Sequence, residues 1–390
     1  MDLAGRGSDW LISIVYIVLF ASLVSFTFLK VLIHLAPRLN LMDEPGGHRQ
    51  HEDKTPLVGG LAIFCSFLIT VLWTDVPLSG LRALFAGSVL LVIIGVLDDM
   101  HELSTRWRFI PQIIAALGAC LWADILLVDL GKLFGDSVLY LGRWSIALTV
   151  FSMVGVINAL NMIDGTDGQS GSILLIAFAA LAWVAASTGY QQLSILIAIL
   201  VIVAVFLAFN FPFSENSRAR TFMGDTGSMF LGFLLCWYLI VMSQGETRQI
   251  TPVTALWLVS IPLIDTVSVM LRRMALGHSP FVADRTHIHH LLPTFGFSRR
   301  KSLLIVIILT LAGALYGLYA LQANIAESFQ FTVFMAFFVG YFVVTFFIVR
   351  QKGLHLDSTD KTERRQAERR QTERRTGLER RNKKGPGRGL

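Results

Sequence analysis

The sequence predicts an all-α polytopic membrane protein of about eleven transmembrane helices, with the amino terminus outside and the carboxyl terminus in the cytoplasm. Three observations predict it. Hydrophobic residues make up 54% of the 390 and charged residues only 15%, a balance that argues against two soluble domains. Apolar runs of about eighteen residues recur, each long enough as a helix to cross about 30 Å of hydrocarbon. Lysine and arginine gather in alternate connections, as they do in cytoplasmic loops.

In chain order the runs are 10–36, 57–73, 80–97, 109–128, 144–163, 171–187, 190–211, 226–243, 253–271, 302–321 and 331–349. The first is too long for a signal-peptide core and has no small-residue cleavage site after it, so it reads as a retained helix. The second is entered through Pro-Leu-Val-Gly-Gly and the third ends in Asp98 and Asp99. A polar break, NALNMIDGTDGQSG, separates the fifth from the sixth. Asn210 and Pro212 close the seventh, and Gly-Asp-Thr-Gly-Ser opens the eighth. The second and sixth, at about seventeen residues, give the count an error of about one. Connections 37–56, 98–108, 164–170, 212–225, 272–301 and the segment from 350 hold 27 of the 33 basic residues. This fixes the expected orientation.

Two regions follow: a transmembrane catalytic domain over 1–349, and a basic cytoplasmic tail over 350–390. From Asp357 on, 12 basic and 6 acidic residues account for the whole net charge of +6. ERRQAERRQTERR repeats every five residues, offers no apolar face and cannot form a core, so the tail reads as disordered and drawn to anionic lipid heads. No nucleic-acid partner is expected, and a homodimer is left open. Cys65, Cys120 and Cys236 lie in apolar runs without metal-ligand spacing and read as small hydrophobes.

The polar residues collect at one set of helix ends. Lys54, before the second run, can hold a phosphate as a point charge, or can simply flank a span. Asp98 and Asp99 repel each other at a helix carboxyl end, where the dipole also disfavours them; a divalent cation would reverse both penalties. Asn158 and Asn161 share a helix face one turn before Asp164, and Gly165 and Gly168 let Asp164 and Asp167 approach a ligand. Asp225, at a glycine-rich helix start after Asn210, Arg218 and Arg220, suits a hard cation beside phosphate; capping by Asp225 or Thr226 is the alternative. Arg285, His287, His289 and His290 form a donor set better suited to phosphate or sugar oxygens than to zinc. Asp265, two turns inside the ninth run, has Arg272 as its expected partner. Carboxylates for a hard cation and basic groups for phosphate at one membrane face describe phosphoryl transfer to or from a lipid. A transporter would instead place its acids near the midplane, often with internal repeats.

In order and at sensible separations, PLVGG (56–60), LDD (97–99), NALNMIDGTDG (158–168), FMGDTGS (222–228), PLID with its arginine pair and DRTHIHH (284–290) resemble the polyprenyl-phosphate N-acetylhexosamine-1-phosphate transferases. Glu102 stands where an aspartate is often found, and the arginine-rich tail is not part of the family pattern. The His-Ile-His-His form resembles the branch that uses UDP-GlcNAc rather than UDP-MurNAc-pentapeptide.

The resemblance implies transfer of a sugar 1-phosphate from a UDP-N-acetylhexosamine to undecaprenyl phosphate, with release of UMP, at the cytoplasmic face of a bacterial inner membrane. The product would prime O-antigen or a related surface glycan. The family's cofactor is Mg²⁺, for which Mn²⁺ can substitute. Carried over, Asp225 is the principal metal ligand, with Asp98, Asp99 and Asp164 assisting. Asp98 or Asp99 is alternatively the base, and Asp167 completes the catalytic acids. Lys54, Asn158, Asn161, Asn210, Arg285, His287, His289 and His290 are the implied substrate-binding residues. Another UDP-sugar or a covalent aspartyl-phosphate route stays compatible with the same residues.

Overall fold

The structure, a computed structural model, describes residues 3–43, 54–74, 76–214, 217–280 and 286–352, with side chains from Ile12 onward. The basic tail and Arg285 lie outside the described residues. The chain forms α1 (Leu3–Leu39), α2 (Gly59–Leu72), α3 (Arg82–His101), α4 (Thr105–Ala123), α5 (Ser145–Ile163), α6 (Gln169–Thr188) and α7 (Leu193–Asn210). Then come α8 (Gly224–Ser243), α9 (Pro252–Leu258), α10 (Ser260–Ala275), α11 (Ile288–Leu291), α12 (Arg299–Gln322) and α13 (Glu327–Gln351). Among the described residues the only sheet is a pair of two-residue strands, β1 (Met42–Asp43) and β2 (Thr55–Pro56), antiparallel.

Among the described residues, eight helices are long and apolar enough to cross a membrane: α1, α3, α5, α6, α7, α8, α12 and α13. Large apolar side chains such as Leu19, Phe151, Ile308 and Val344 are exposed on the outer helices, the surface expected of a chain solvated by lipid. The protein is a helical polytopic membrane protein. Each expected run has a helix, but three are not simple spans. α2 has 14 residues, a length of roughly 21 Å. α4 carries Arg106, Arg108 and Gln112 in its first turns and is not among the apolar spans. The run 253–271 is broken into α9 and α10, bent by 80°. Pro262 explains the bend: it lacks the N–H that would bond to Leu258, and it disfavours helical geometry just before itself. The expected boundary at 349/350 falls in the last turn of α13.

α8 is the axis of the bundle. Of its apolar window 94% is buried, against 17% for α1 and α13. In lipid there is no hydrophobic drive between helices, so close packing through small residues carries the association. A Cβ at Gly60 of α2 would fall on the backbone of Gly227 in α8, and one at Gly95 of α3 would fall on the backbone of Thr226. The Gly-Gly entry of α2 therefore serves contact: Gly59 and Gly60 donate their amides to the carbonyls of Phe222 and Met223, each at 2.9 Å. Pro56 of β2 in turn accepts from Phe222 N at 2.9 Å.

Gly60→Ala is expected to lower stability by about 1–3 kcal/mol through overpacking. Gly155→Ala, where an added Cβ meets nothing within 4 Å, is expected to be neutral or to stabilise by up to about 1 kcal/mol. Thermal unfolding in detergent checks both; equal midpoints would show that the α2–α8 contact is not tight.

Candidate active site

The carboxyl ends of α1, α3, α5 and α7 and the amino ends of α2, α6 and α8 meet at one end of the bundle, around a cavity of about 250 Å³. The one-sided grouping of polar residues is thus realised in space. Five carboxylates line the cavity: Asp43, Asp99, Asp164, Asp167 and Asp225. Asn161, Asn210 and Ser228 line it too, and among the described residues no lysine or arginine lines it.

Asp98 and Asp99 are separated by their partners. Asp98 is buried, accepts from Leu103 N at 2.7 Å and pairs with Arg108 Nε of α4 at 2.7 Å. The same guanidinium lies 3.8 Å from Asp225 Oδ1. Asp99 turns to α8 and accepts from Asp225 N at 2.8 Å, Thr226 N at 3.2 Å and Thr226 Oγ1 at 2.6 Å. It therefore caps α8 from another helix. Neither Asp225 nor Thr226 caps α8, and the residue before the helix, Met223, makes no side-chain capping bond. Gly224 makes room: its φ is +69° and a Cβ there would stand 2.6 Å from Asp99 Oδ2. The repulsion expected of the acidic pair is relieved by Arg108 and by the positive end of α8.

Asn158 and Asn161 share a face of α5 but serve different neighbours. Asn158 donates to Gln112 Oε1 of α4 at 2.6 Å and does not line the cavity. Asn161 donates to Asp225 Oδ1 and, at 2.9 Å, to Ser228 Oγ. Asp164 accepts from Ser170 Oγ at 2.6 Å, and its carboxyl is pushed up to about 7 by burial and by the nearby Asp225 and Asp167, against the Ser170 bond. Asp167 accepts from Ala219 N at 3.2 Å. Asn210 ties two loops together, accepting from Gly168 N at 2.8 Å and donating to Thr221 O at 2.9 Å. Lys54 is exposed next to β2 and does not line the cavity.

Of the three histidines, His289 reaches the cavity wall. His289 is buried against Gly165, where an added Cβ would fall on its Nε2. Burial and the neighbouring imidazoles of His290 and His287 push its pKa down to about 3, although Asp265 opposes this, so the ring is neutral at neutral pH. His287 Nδ1 meets Asp265 Oδ2 at 2.8 Å. Arg272 is not the partner of Asp265; it bonds to Thr286 O at 2.7 Å and Thr345 Oγ1 at 2.5 Å. Residues seven apart stand about 10 Å apart along a helix, and the chain beyond α10 supplies the nearer partner.

Among the described residues no three His, Cys, Asp or Glu converge into a protein-only metal cage. Among the described residues the lining holds oxygen donors without cysteine or histidine, which suits a hard cation bound by one or two carboxylates with water and substrate phosphate. Asp164 and Asp225 are the acids best placed for it, since Asp99 is engaged by α8 and Asp98 does not line the cavity. Asp43 and Arg108 escape motif reading; their charge was their only sequence signal, while Ser228 closes the FMGDTGS motif without having been singled out.

Residues 81–243, from α3 through α8, match the family model described as glycosyl transferase family 4. A Yersinia pestis protein named undecaprenyl-phosphate alpha-N-acetylglucosaminyl 1-phosphate transferase is 34% identical over 306 residues, 78% of this chain and 82% of its own. Proteins of the same name from Escherichia coli (strain K12) and Haemophilus influenzae are 33% and 34% identical, the matches covering 86% and 83% of this chain and 90% of each relative. The chain belongs to this transferase family. The matched stretch of the family 4 chain contains most of the cavity lining, whereas Asp43 and the histidines lie outside it.

Asp99→Ala is expected to cost about 1–3 kcal/mol, because it leaves buried amides at the start of α8 without an acceptor. Asp99→Asn, which keeps one carbonyl oxygen, should recover part of that loss. Unfolding midpoints of the two variants check this; an unchanged midpoint for Asp99→Ala would exclude a capping role.

Proposed function

We propose that this chain transfers GlcNAc 1-phosphate from UDP-GlcNAc to undecaprenyl phosphate, giving undecaprenyl-diphospho-GlcNAc and UMP. The observation that carries the reading is the acidic cavity. A diphosphate cannot enter a pocket lined by five carboxylates without a cation, so the site fits a metal-bound nucleotide sugar. The names of the relatives supply the sugar and the lipid.

In this reading Asp225 and Asp164 hold Mg²⁺, and Asn161 keeps Asp225 turned to the cavity. When bound, the metal neutralises charge on the diphosphate. An oxygen of the lipid phosphate forms a bond to the β-phosphorus, which carries the sugar, while the bond from that phosphorus to the bridging oxygen breaks and UMP leaves. A phosphate monoester with a second pKa of about 6 is mostly dianionic at pH 7, so the step depends on positioning and charge neutralisation more than on a base. Asp98 and Arg108 then hold the wall behind Asp225, and Asp167, Asn210, Lys54 and the histidines contribute binding.

The reading includes topology. We take α2, α4 and the bent α9–α10 pair as spans beside the eight long helices, eleven in all, with the cavity on the cytoplasmic side of a bacterial inner membrane; the basic residues of the connections at that end support this orientation. The product serves O-antigen or related glycan synthesis, and the tail contacts anionic lipid.

Purified protein with Mg²⁺, undecaprenyl phosphate and a panel of UDP-sugars tests the function. UMP should form in step with a lipid-linked product from UDP-GlcNAc, and weakly or not at all from UDP-MurNAc-pentapeptide or a 6-deoxy-N-acetylhexosamine. No product from any sugar would overturn the reading. Asp225→Asn should lower kcat by about a hundredfold or more and weaken Mn²⁺ binding measured by electron paramagnetic resonance. Unchanged Mn²⁺ binding would remove Asp225 from the metal site.

A further inference from the structure

α13 is a peripheral helix, and an apolar span exposed to lipid gains nothing from inward-facing hydroxyls unless they are used. Two of them, one turn apart, are used. Tyr341 donates its hydroxyl to Asp265 Oδ1 at 2.6 Å, and Thr345 Oγ1 accepts from Arg272 Nη1 at 2.5 Å. Asp265 and Arg272 are each 1% exposed, so both bonds are made in a dry interior. Each partner passes the contact to the start of α11. Asp265 Oδ1 also accepts from Ile288 N at 3.1 Å, its Oδ2 meets His287 Nδ1, and Arg272 Nη2 donates to Thr286 O. α11 has a single turn and cannot fix its own orientation. Yet it carries His289, whose Nε2 abuts Gly165 between the cavity residues Asp164 and Thr166.

We infer that Tyr341 is a positioning residue for the transfer reaction: it orients Asp265, which holds α11 so that His289 buttresses the Asp164–Asp167 wall of the cavity. The inference rests on the functional reading above. It gives a role to a helix outside residues 81–243 and outside every motif. Thr345 acts in parallel, because it fixes the guanidinium that holds Thr286.

The test uses the full-length protein in detergent or nanodiscs. Tyr341→Phe keeps the ring and removes one hydrogen bond to a buried carboxylate. Hydrogen exchange of the 286–291 amides should quicken in this variant while α6 and α7 stay protected. For UDP-GlcNAc transfer, kcat/KM should fall roughly tenfold, as for loss of a bond to a charged group. The deciding measurement is the cycle with His289→Ala. In the His289→Ala background Tyr341→Phe should cost little more, because both changes release the same wall. A general loss of packing would multiply the two effects instead. Thr345→Val should repeat the exchange result by the second route, which covers the case of a poorly folded Tyr341→Phe. Unchanged exchange at 286–291 in both variants, or fully multiplicative kinetics, would overturn the inference. Should wild-type protein fail to use UDP-GlcNAc, the functional reading falls and the exchange measurement alone decides whether α13 holds α11.

Discussion

The carboxylate of Asp99 at the amino end of α8 is the contact on which the site depends. A helix start leaves backbone amides without intrahelical acceptors, and in a buried, low-dielectric place each unsatisfied group is expensive. α8 is the most enclosed of the long spans, so water cannot serve those amides cheaply. Asp99 accepts from two of them and from the Thr226 hydroxyl. The same contact solves the problem of the aspartate, whose charge at the end of α3 meets the positive end of α8. Each helix end is stabilised by the other.

The rest of the cavity follows from that junction. Gly95 and Gly224 let α3 approach closely enough for the bonds to form, and the Gly60–Gly227 contact brings α2 onto the next residue of α8. Asp225 is then carried on the first turn of the buried helix, between Asn161 and Arg108. The described residues between α5 and α6 and between α7 and α8 are irregular backbone at the end of a membrane bundle, tolerated because they line a polar cavity. Their own bonds, such as Asn210 to Gly168 and Thr221, fix their shape without drawing on lipid or water. Asp265 and Arg272 of α10, with Tyr341 of α13, hold the segment that carries the histidines.

Much of this was legible in residue types. The membrane class, the gathering of acids at one set of helix ends, the close of α7 at Asn210 and the start of α8 at Gly224 all follow from hydropathy, glycine and proline. Partnerships were not legible. Asn158 and Asn161 lie on one helix face, yet one meets Gln112 and the other Asp225, because different helices pack along that face. Asp265 had a basic residue two turns on, but the rise of a helix keeps residues at that spacing apart, and His287 and Tyr341 arrive from later segments.

The sequence by itself determined which residues carry charge at a membrane boundary and which family's motifs they form, because composition and spacing are local properties. Only the tertiary structure decided what each charge does. Asp98 pairs with Arg108, Asp99 caps a distant helix at the edge of the cavity, and Asp43, Asp164, Asp167 and Asp225 line it as well. The physical reason is that the energy of a buried carboxylate is set by the donors brought to it, and here those donors come from other helices.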